Sequence, residues 1–490
     1  MYRPSDPQKP LFDAGGLLPP DKRERCEKTW AGPFRERALP ILRTVEGEFA
    51  DLYHPGEGRP NRPVELVLGT LLLKEMSDLT DAEALDALEY DARWWYALGR
   101  EPHETHLCQK TLHNFRTGLI EKEKSKLTFR RVTDELIAAL GIRVDRQRLD
   151  STHILSRIAL LSRLGLFCET IRLFLRAAKR EDPAAFEKIP ASLLGRHGEA
   201  ERYGDARPKD VRRRLGVVAR DVWRLMDRFR GHATISETEE GKLLKRLFEE
   251  HCVVNEKADP PGTDDDDRGD GAAPVEVLPS PKTGSASMQT PHDPDVTYSG
   301  HKGKGYESQV AETCTEGNAA QMITEVEVTP SCGSDAMQTI PVVKALAEAG
   351  LKPKELVADT GFGGVSNAAA LSEEGVTLVA PVPGPKHSKL PREEGNVAPE
   401  GPCPQEEKAA LAWLRQQEAA ADFPRRYAIR AGIESTNAEL KHRHGMKKLR
   451  VRGEKRVKLS VYLKAAACNL KRALRAWLAG EPAAEGAALA

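Results

Sequence analysis

The sequence has no surplus of either charge: Lys plus Arg and Asp plus Glu both number 74. As an average this argues against a surface tuned throughout to a polyanion. It has no C-x-x-C pair. Its eight cysteines, Cys26, Cys108, Cys168, Cys252, Cys314, Cys332, Cys403 and Cys468, are scattered, which leaves neither a zinc ribbon nor a disulfide framework and suits a reducing compartment. No apolar run reaches the roughly 20 residues that cross a bilayer, and the opening MYRPSDPQKP lacks the apolar core of a signal peptide. A soluble cytoplasmic protein with no membrane partner is expected. At 490 residues there is room for two or three domains.

The neutral average conceals a strong local imbalance. From Arg425 to Arg475 sixteen cations face only Glu434, Glu439 and Glu454, a local charge of +13. A segment of this kind can neutralise phosphates. A solvated helix face is the plainer explanation, but so large an excess favours a polyanion partner. The counterpart is the acidic run Asp264–Asp267, inside a Pro/Gly/Ser-rich stretch that reads as a disordered linker.

Hydrophobic periodicity organises the rest. Residues 60–120 read as short helices: Pro63 stands at an N1-like position, Thr80-Asp-Ala-Glu83 is a capping box, and Leu112, Phe115 and Leu119 share a face. A strand is expected over Val144–Ile154 and contains Leu149-Asp150-Ser-Thr-His. From 155 to 255 helical spacing dominates. Strand signals return as a hairpin over Tyr306–Cys314 and Met322–Thr329, then a helix from Asp335, the strand Glu355–Asp359, a helix from Asn367, a strand from Val376, and helices over 407–420 and 425–448. Asp359 ends its strand before Thr360-Gly-Phe-Gly-Gly. Each aspartate taken alone could be a strand-end turn residue.

One pattern gives these acids a common purpose. Tyr427, Arg430, Glu434 and Lys441 are spaced Tyr-x2-Arg-x3-Glu-x6-Lys, and on one helix all four share a face. An amphipathic helix with an Arg–Glu pair one turn apart would give part of this pattern. The whole resembles the signature of bacterial insertion-sequence transposases of the DDE class. Asp150 within LDSTH matches the family's setting for its first catalytic acid. Asp91-Ala-Arg-Trp-Trp and Thr111-Leu-His-Asn-Phe-Arg116 resemble the N-terminal helical domain of the same proteins.

The resemblance implies an α/β fold: an RNase H-like catalytic core with a mixed sheet, interrupted by a helical insertion and preceded by an all-α N-terminal domain. On this reading 1–59 is an arm, 60–140 a helical DNA-binding domain, 141–155 the first core strand, 156–255 the insertion, 256–296 an acidic disordered linker, 297–476 the remainder of the core and 477–490 a disordered tail. The catalytic, metal-holding residues are Asp150, Asp359 and Glu434. Their all-oxygen ligand set suits Mg²⁺ or Mn²⁺, with two ions expected. Tyr427, Arg430, Lys441, Lys304 and Arg116 are the expected DNA contacts. The partners are double-stranded DNA, both the terminal inverted repeats and the target, and a homodimer or larger assembly on that DNA in a bacterial cytoplasm, at the nucleoid. The helices of 60–120 are expected to bind element ends without the core. Two alternatives stay open: an RNase H-like nuclease without strand transfer, and a catalytically inactive DNA-binding protein derived from a transposase.

Overall fold

A computed structural model describes residues 1–5, 14–197, 208–254, 275–384, 395–480 of the protein. The acidic run Asp264–Asp267 and the end of the tail lie outside them. The fold is mixed α/β. Its sheet is built from β1 (Arg146–Ile154), β4 (Thr297–Ser299), β5 (Gly303–Thr313), β6 (Ile323–Pro330), β7 (Glu355–Ala358) and β8 (Thr377–Val379); the short β2 (Cys252–Val254) and β3 (Val275–Val277) pair separately. Strand β1 is central, antiparallel to β5 and parallel to β7, which is in turn parallel to β8. The far edge of β5 is shared by β4 at its start and β6 along the rest.

The helices ahead of the sheet form as their sequence directs. Helix α1 (Val64–Met76) follows Pro63, is apolar nearly all round and is buried on every side, as such a helix must be. Helix α2 (Asp81–Tyr90) begins with the expected capping box: the Glu83 amide donates to Thr80 Oγ1 at 3.2 Å and the Thr80 amide to Glu83 Oε2 at 2.7 Å. Next come α3 (Ala92–Ala97), α4 (Gln109–Glu121) and α5 (Leu127–Leu140), the last closed by Gly141 in the left-handed conformation.

The insertion holds α6 (Arg163–Glu181), α7 (Pro208–Phe229) and α8 (Glu239–His251). Beyond β6 follow α9 (Asp335–Glu348), α10 (Val365–Glu373), α11 (Glu407–Ala419), α12 (Phe423–Ala428), α13 (Gly432–Arg443) and α14 (Glu454–Leu478). Helix α14 joins the two ends of the chain. It packs on α1, α5 and β6 at once, and its run of buried Ala465, Ala466 and Ala467 lets neighbours approach closely. One apolar core therefore runs from Phe34 and Leu71 through Leu149 and Val310 to Leu470 and Trp477. Across it Lys464 of α14 donates to Glu75 of α1 at 2.6 Å. Burial works against the Glu75 carboxylate, but Lys464 and Lys74 outweigh it and hold its pKa at about 2.

The insertion keeps a core of its own, containing Phe167, Ile171, Val222, Leu225 and Leu247. Residues 275–296, expected within the disordered linker, are packed instead. Met288, Thr290 and Asp293 are buried; the Met288 amide donates to Glu250 at 2.7 Å and Tyr306 Oη to Asp293 at 2.7 Å. Trp477, assigned to the tail, lies inside α14 and is buried.

Candidate active site

Strands β1 and β7 run parallel with Leu149 opposite Ala358, so the next residues, Asp150 inside β1 and Asp359 just past the end of β7, come side by side. Neighbouring strands lie roughly 4.8 Å apart, which brings two carboxylates together without any long-range contrivance. Asp359 is shaped by the turn that follows: its Oδ1 accepts from the Gly361 amide at 2.8 Å and the Phe362 amide at 3.3 Å. A Cβ on Gly361 would lie 3.0 Å from that oxygen, so glycine keeps the turn tight against the acid.

Glu434 arrives from the first turn of α13. The signature residues do not share the single helix expected over 425–448. Tyr427 lies in the last turn of α12, Arg430 sits in a 3-10 turn at Ile429–Ala431, and α13 carries Glu434 and Lys441 before stopping at Arg443. The break turns the Arg430 guanidinium into the space between the three acids. Its Nη2 lies 3.3 Å from Asp150 and 3.6 Å from Asp359, and its Nη1 lies 3.4 Å from Glu434. Burial alone would lower the Arg430 pKa, but Asp150, Tyr427, Asp359 and Glu434 together raise it. Burial raises the Asp150 pKa, as do Asp359 and Asp335, with Arg430 pulling the other way. Side-chain exposure climbs from 13% at Asp150 through 36% at Asp359 to 70% at Glu434, so the cluster opens toward solvent on the helix side.

A buried polar frame fixes α13 against the sheet. Glu312 of β5 accepts from Arg148 of β1 at 2.8 Å, from Thr436 of α13 at 2.5 Å and from Arg472 of α14 at 2.5 Å. Arg148 also donates to the Ile429 carbonyl at 2.8 Å. Any Cβ at Gly432 would come within 1.9 Å of Arg148, so this glycine is what lets the start of α13 lie on the arginine. Asn437, one turn after Glu434, donates to Asp150 Oδ2 at 3.1 Å. On the neighbouring edge Lys302 reaches Ser151 at 2.8 Å, Glu307 at 3.0 Å and Asp335 at 3.4 Å. Burial, reinforced by Asp335 and opposed by Lys302, pushes the Glu307 carboxyl up to about 7.

The expected DNA contacts divide. Tyr427 stacks on Phe423 with centroids 5.6 Å apart beside the acids, and its pKa is raised by burial. Lys441 is half-buried near Asp150; burial and Lys447 lower its pKa while Asp150 raises it. Lys304 departs from expectation: its ammonium donates to the Leu161 carbonyl at 2.7 Å and so ties the start of the insertion to β5. Arg116 is held in a two-pronged ion pair with Asp81, at 2.9 and 2.5 Å.

Comparison with known protein families gives two matches. A Transposase DDE domain matches residues 403–474, and a Transposase domain (DUF772) matches residues 35–118. Both matched families are transposase families, and together they support a DDE-class insertion-sequence transposase. No curated protein and no solved structure matches it. The two matched stretches are two sides of one core, since most of α14 lies within the first and packs on α1 within the second. Asp150 and Asp359 fall outside both matches; the sheet register brings them to Glu434. Sequence reasoning did not find Arg148, Glu312, Asp335, Asn437 or Arg472. Only Asn437 left a local signal, its spacing of three from Glu434 and four from Lys441 on one face. Among the described residues, no helix is long and apolar enough to cross a membrane.

Proposed function

We propose that this transposase cuts the ends of its own insertion sequence and joins them to target DNA, with Asp150, Asp359 and Glu434 holding two Mg²⁺ or Mn²⁺ ions in an RNase H-like core. The observation that carries this reading is the convergence of three carboxylates from β1, the end of β7 and α13 on the single guanidinium of Arg430. The donor set fits the ions. It offers oxygen only, as hard divalent cations prefer, and the one arginine between the three carboxylates leaves most of their negative charge uncompensated.

When bound, the ions activate water and then a 3′-hydroxyl for in-line attack on phosphorus and stabilise the departing oxygen. Asp150 and Asp359 are the fixed part of the cradle, held by the sheet and the Gly361 turn. Glu434 is the open part, and the Glu312 frame keeps its helix in place. Asn437 orients Asp150. A DNA phosphate offers Arg430 a forked partner outside the acid cluster, and Lys441 adds a point charge on the same side. Tyr427 presents a ring against which an unpaired base stacks. No side chain forms a covalent intermediate. The substrate is duplex DNA carrying the element's inverted repeats, bound by a homodimer or larger assembly.

The test is a duplex made from the DNA flanking the gene, incubated with protein and Mg²⁺ or Mn²⁺ beside a target plasmid. Strands ending in a 3′-hydroxyl at the repeat boundary, followed by joined products, are expected. Cleavage without joining would reduce the reading to a nuclease. Undiminished cleavage by Asp359→Asn would overturn the site.

A further inference from the structure

A cavity of about 760 Å³ lies between the N-terminal helices and α14, on the other side of β1's end from the carboxylates. One wall is a single face of α4, with Gln109, His113 and Arg116 at helical spacing; the opposite wall is α14 with Arg456 and the loop before it with Arg452. Its cations are not equally committed. Arg116 is paired with Asp81, Arg450 with Asp78 and Lys464 with Glu75. Arg157, Arg452 and Arg456 have no acidic partner among the described residues, and all three are exposed. Three uncompensated arginines around one hollow repel one another unless an anion joins them.

The position of the cavity relative to the carboxylates is set by β1. After Ile154 the chain stays aligned with the loop preceding α14: the Leu449 amide donates to Leu155 O at 2.7 Å and the Arg157 amide to Val451 O at 2.8 Å. Arg157 is seven residues beyond Asp150, so at about 3.3 Å per residue of extended chain it lies at most about 23 Å away. That span corresponds to about six base pairs of duplex, and at most about seven, at 3.4 Å each.

We propose that this cavity is a second anchor for the DNA, gripping the sugar-phosphate backbone about six base pairs from the bond being cut, with Arg157, Arg452 and Arg456 as its phosphate contacts. The inference rests on the proposed reading that the carboxylates cut duplex DNA. It adds a grip that sets which phosphate reaches them. The second half of β1 and the short stretch after it act as the spacer between grip and cut, because they run from Asp150 to Arg157.

Binding is measured as a function of salt for wild type and Arg157→Ala/Arg456→Ala on two probes. One is a duplex of about 30 base pairs carrying the flanking inverted repeat; the other is the same duplex cut back to about four base pairs beyond the cleavage point, too short to reach the cavity. Both side chains are exposed, so the variant keeps its fold. On the long probe the salt slope should fall by about two units, with affinity about tenfold weaker near physiological salt, and Arg157→Lys/Arg456→Lys should restore it. On the short probe wild type and variant should coincide. An unchanged slope on the long probe, or an equal loss on both probes, overturns the anchor. Nicking of the long probe by wild type with Mn²⁺ reads the underlying proposal separately: absent nicking with the slope difference intact would sink the cutting reaction and leave the cavity a DNA-binding surface.

Discussion

Two regions of this transposase solve the burial problem in opposite ways. The helices before the sheet, the sheet itself and α14 share one apolar core, and the candidate site lies at its rim. The insertion between β1 and β4 packs Phe167, Val222 and Leu247 among themselves, and only its two ends, at Ile158 and Val296, reach into that shared core. The comparison teaches that position in sequence is a poor guide to independence. Residues 60–120 looked like a separable module, yet α1 is enclosed only when α14, almost 400 residues later, lies against it. The insertion interrupts the sheet in sequence, but its helices close on a core of their own in space. Buried Asp221, which pairs with Arg196 and His197, each at 2.9 Å, fastens it internally, while Lys304 and Tyr306 tie its two ends to β5.

Substitutions can test this contrast. The largest effect is expected at the rim. Asp359→Asn should take cleavage of end DNA to background while leaving thermal unfolding and DNA binding as in wild type, because it removes a charge at nearly constant volume; Asp150→Asn and Glu434→Gln should behave alike. A chain ending at residue 125 should fail to fold, read as absent cooperative melting by circular dichroism, because α1 and its neighbours lose α5, α14 and the sheet. A melting, end-binding fragment would restore the modular view. Glu312→Ala strands the buried charge of Arg148, leaves Arg472 with Glu439 alone, and should cost about 3–5 kcal/mol in urea unfolding. The loss should appear in the shared core and not at Trp223, the tryptophan packed on the insertion's core. Leu247→Ala is the reciprocal change. It should cost about 2–5 kcal/mol and shift the Trp223 signal while sparing the shared core; equal losses in both regions would mean that the two cores unfold as one. The smallest effects belong to the DNA-facing cations. Arg430→Ala and Lys441→Ala should each make the salt dependence of binding shallower by about one unit without changing stability.

The parts of the molecule legible in sequence are those that depend on local periodicity. The order of strands, the capping box at Thr80 and the limits of α9 and α11 follow from alternation, helical spacing and end signals. Asp359 was visible because a strand ran into a glycine-rich turn, and Glu434 because its neighbours repeat at helical spacing. What stayed hidden depends on register and tertiary contact. Nothing near Glu312 says that a buried acid there gathers an arginine from β1, a threonine from α13 and an arginine from α14. The 3-10 turn at Ile429–Ala431 was missed because helical and 3-10 turns share almost the same local preferences. Residues 275–296 have loop composition, but composition does not reveal that Met288 and Asp293 are wrapped by the insertion and β5. Lys304 read as an exposed basic residue because its carbonyl partner, Leu161, is more than a hundred residues away.

The long reach of α14 also gives the protein a timetable. At about 5–20 residues per second, the ribosome needs roughly 20–80 s to go from α1 to the end of α14. Throughout that interval the first helices lack the surface that encloses them, and neither Glu434 nor the frame that seats it has its partners from the last helix. A nascent or prematurely stopped chain is thus a substrate for chaperones and proteases. The candidate site is assembled late, once the helix that closes the fold has been made.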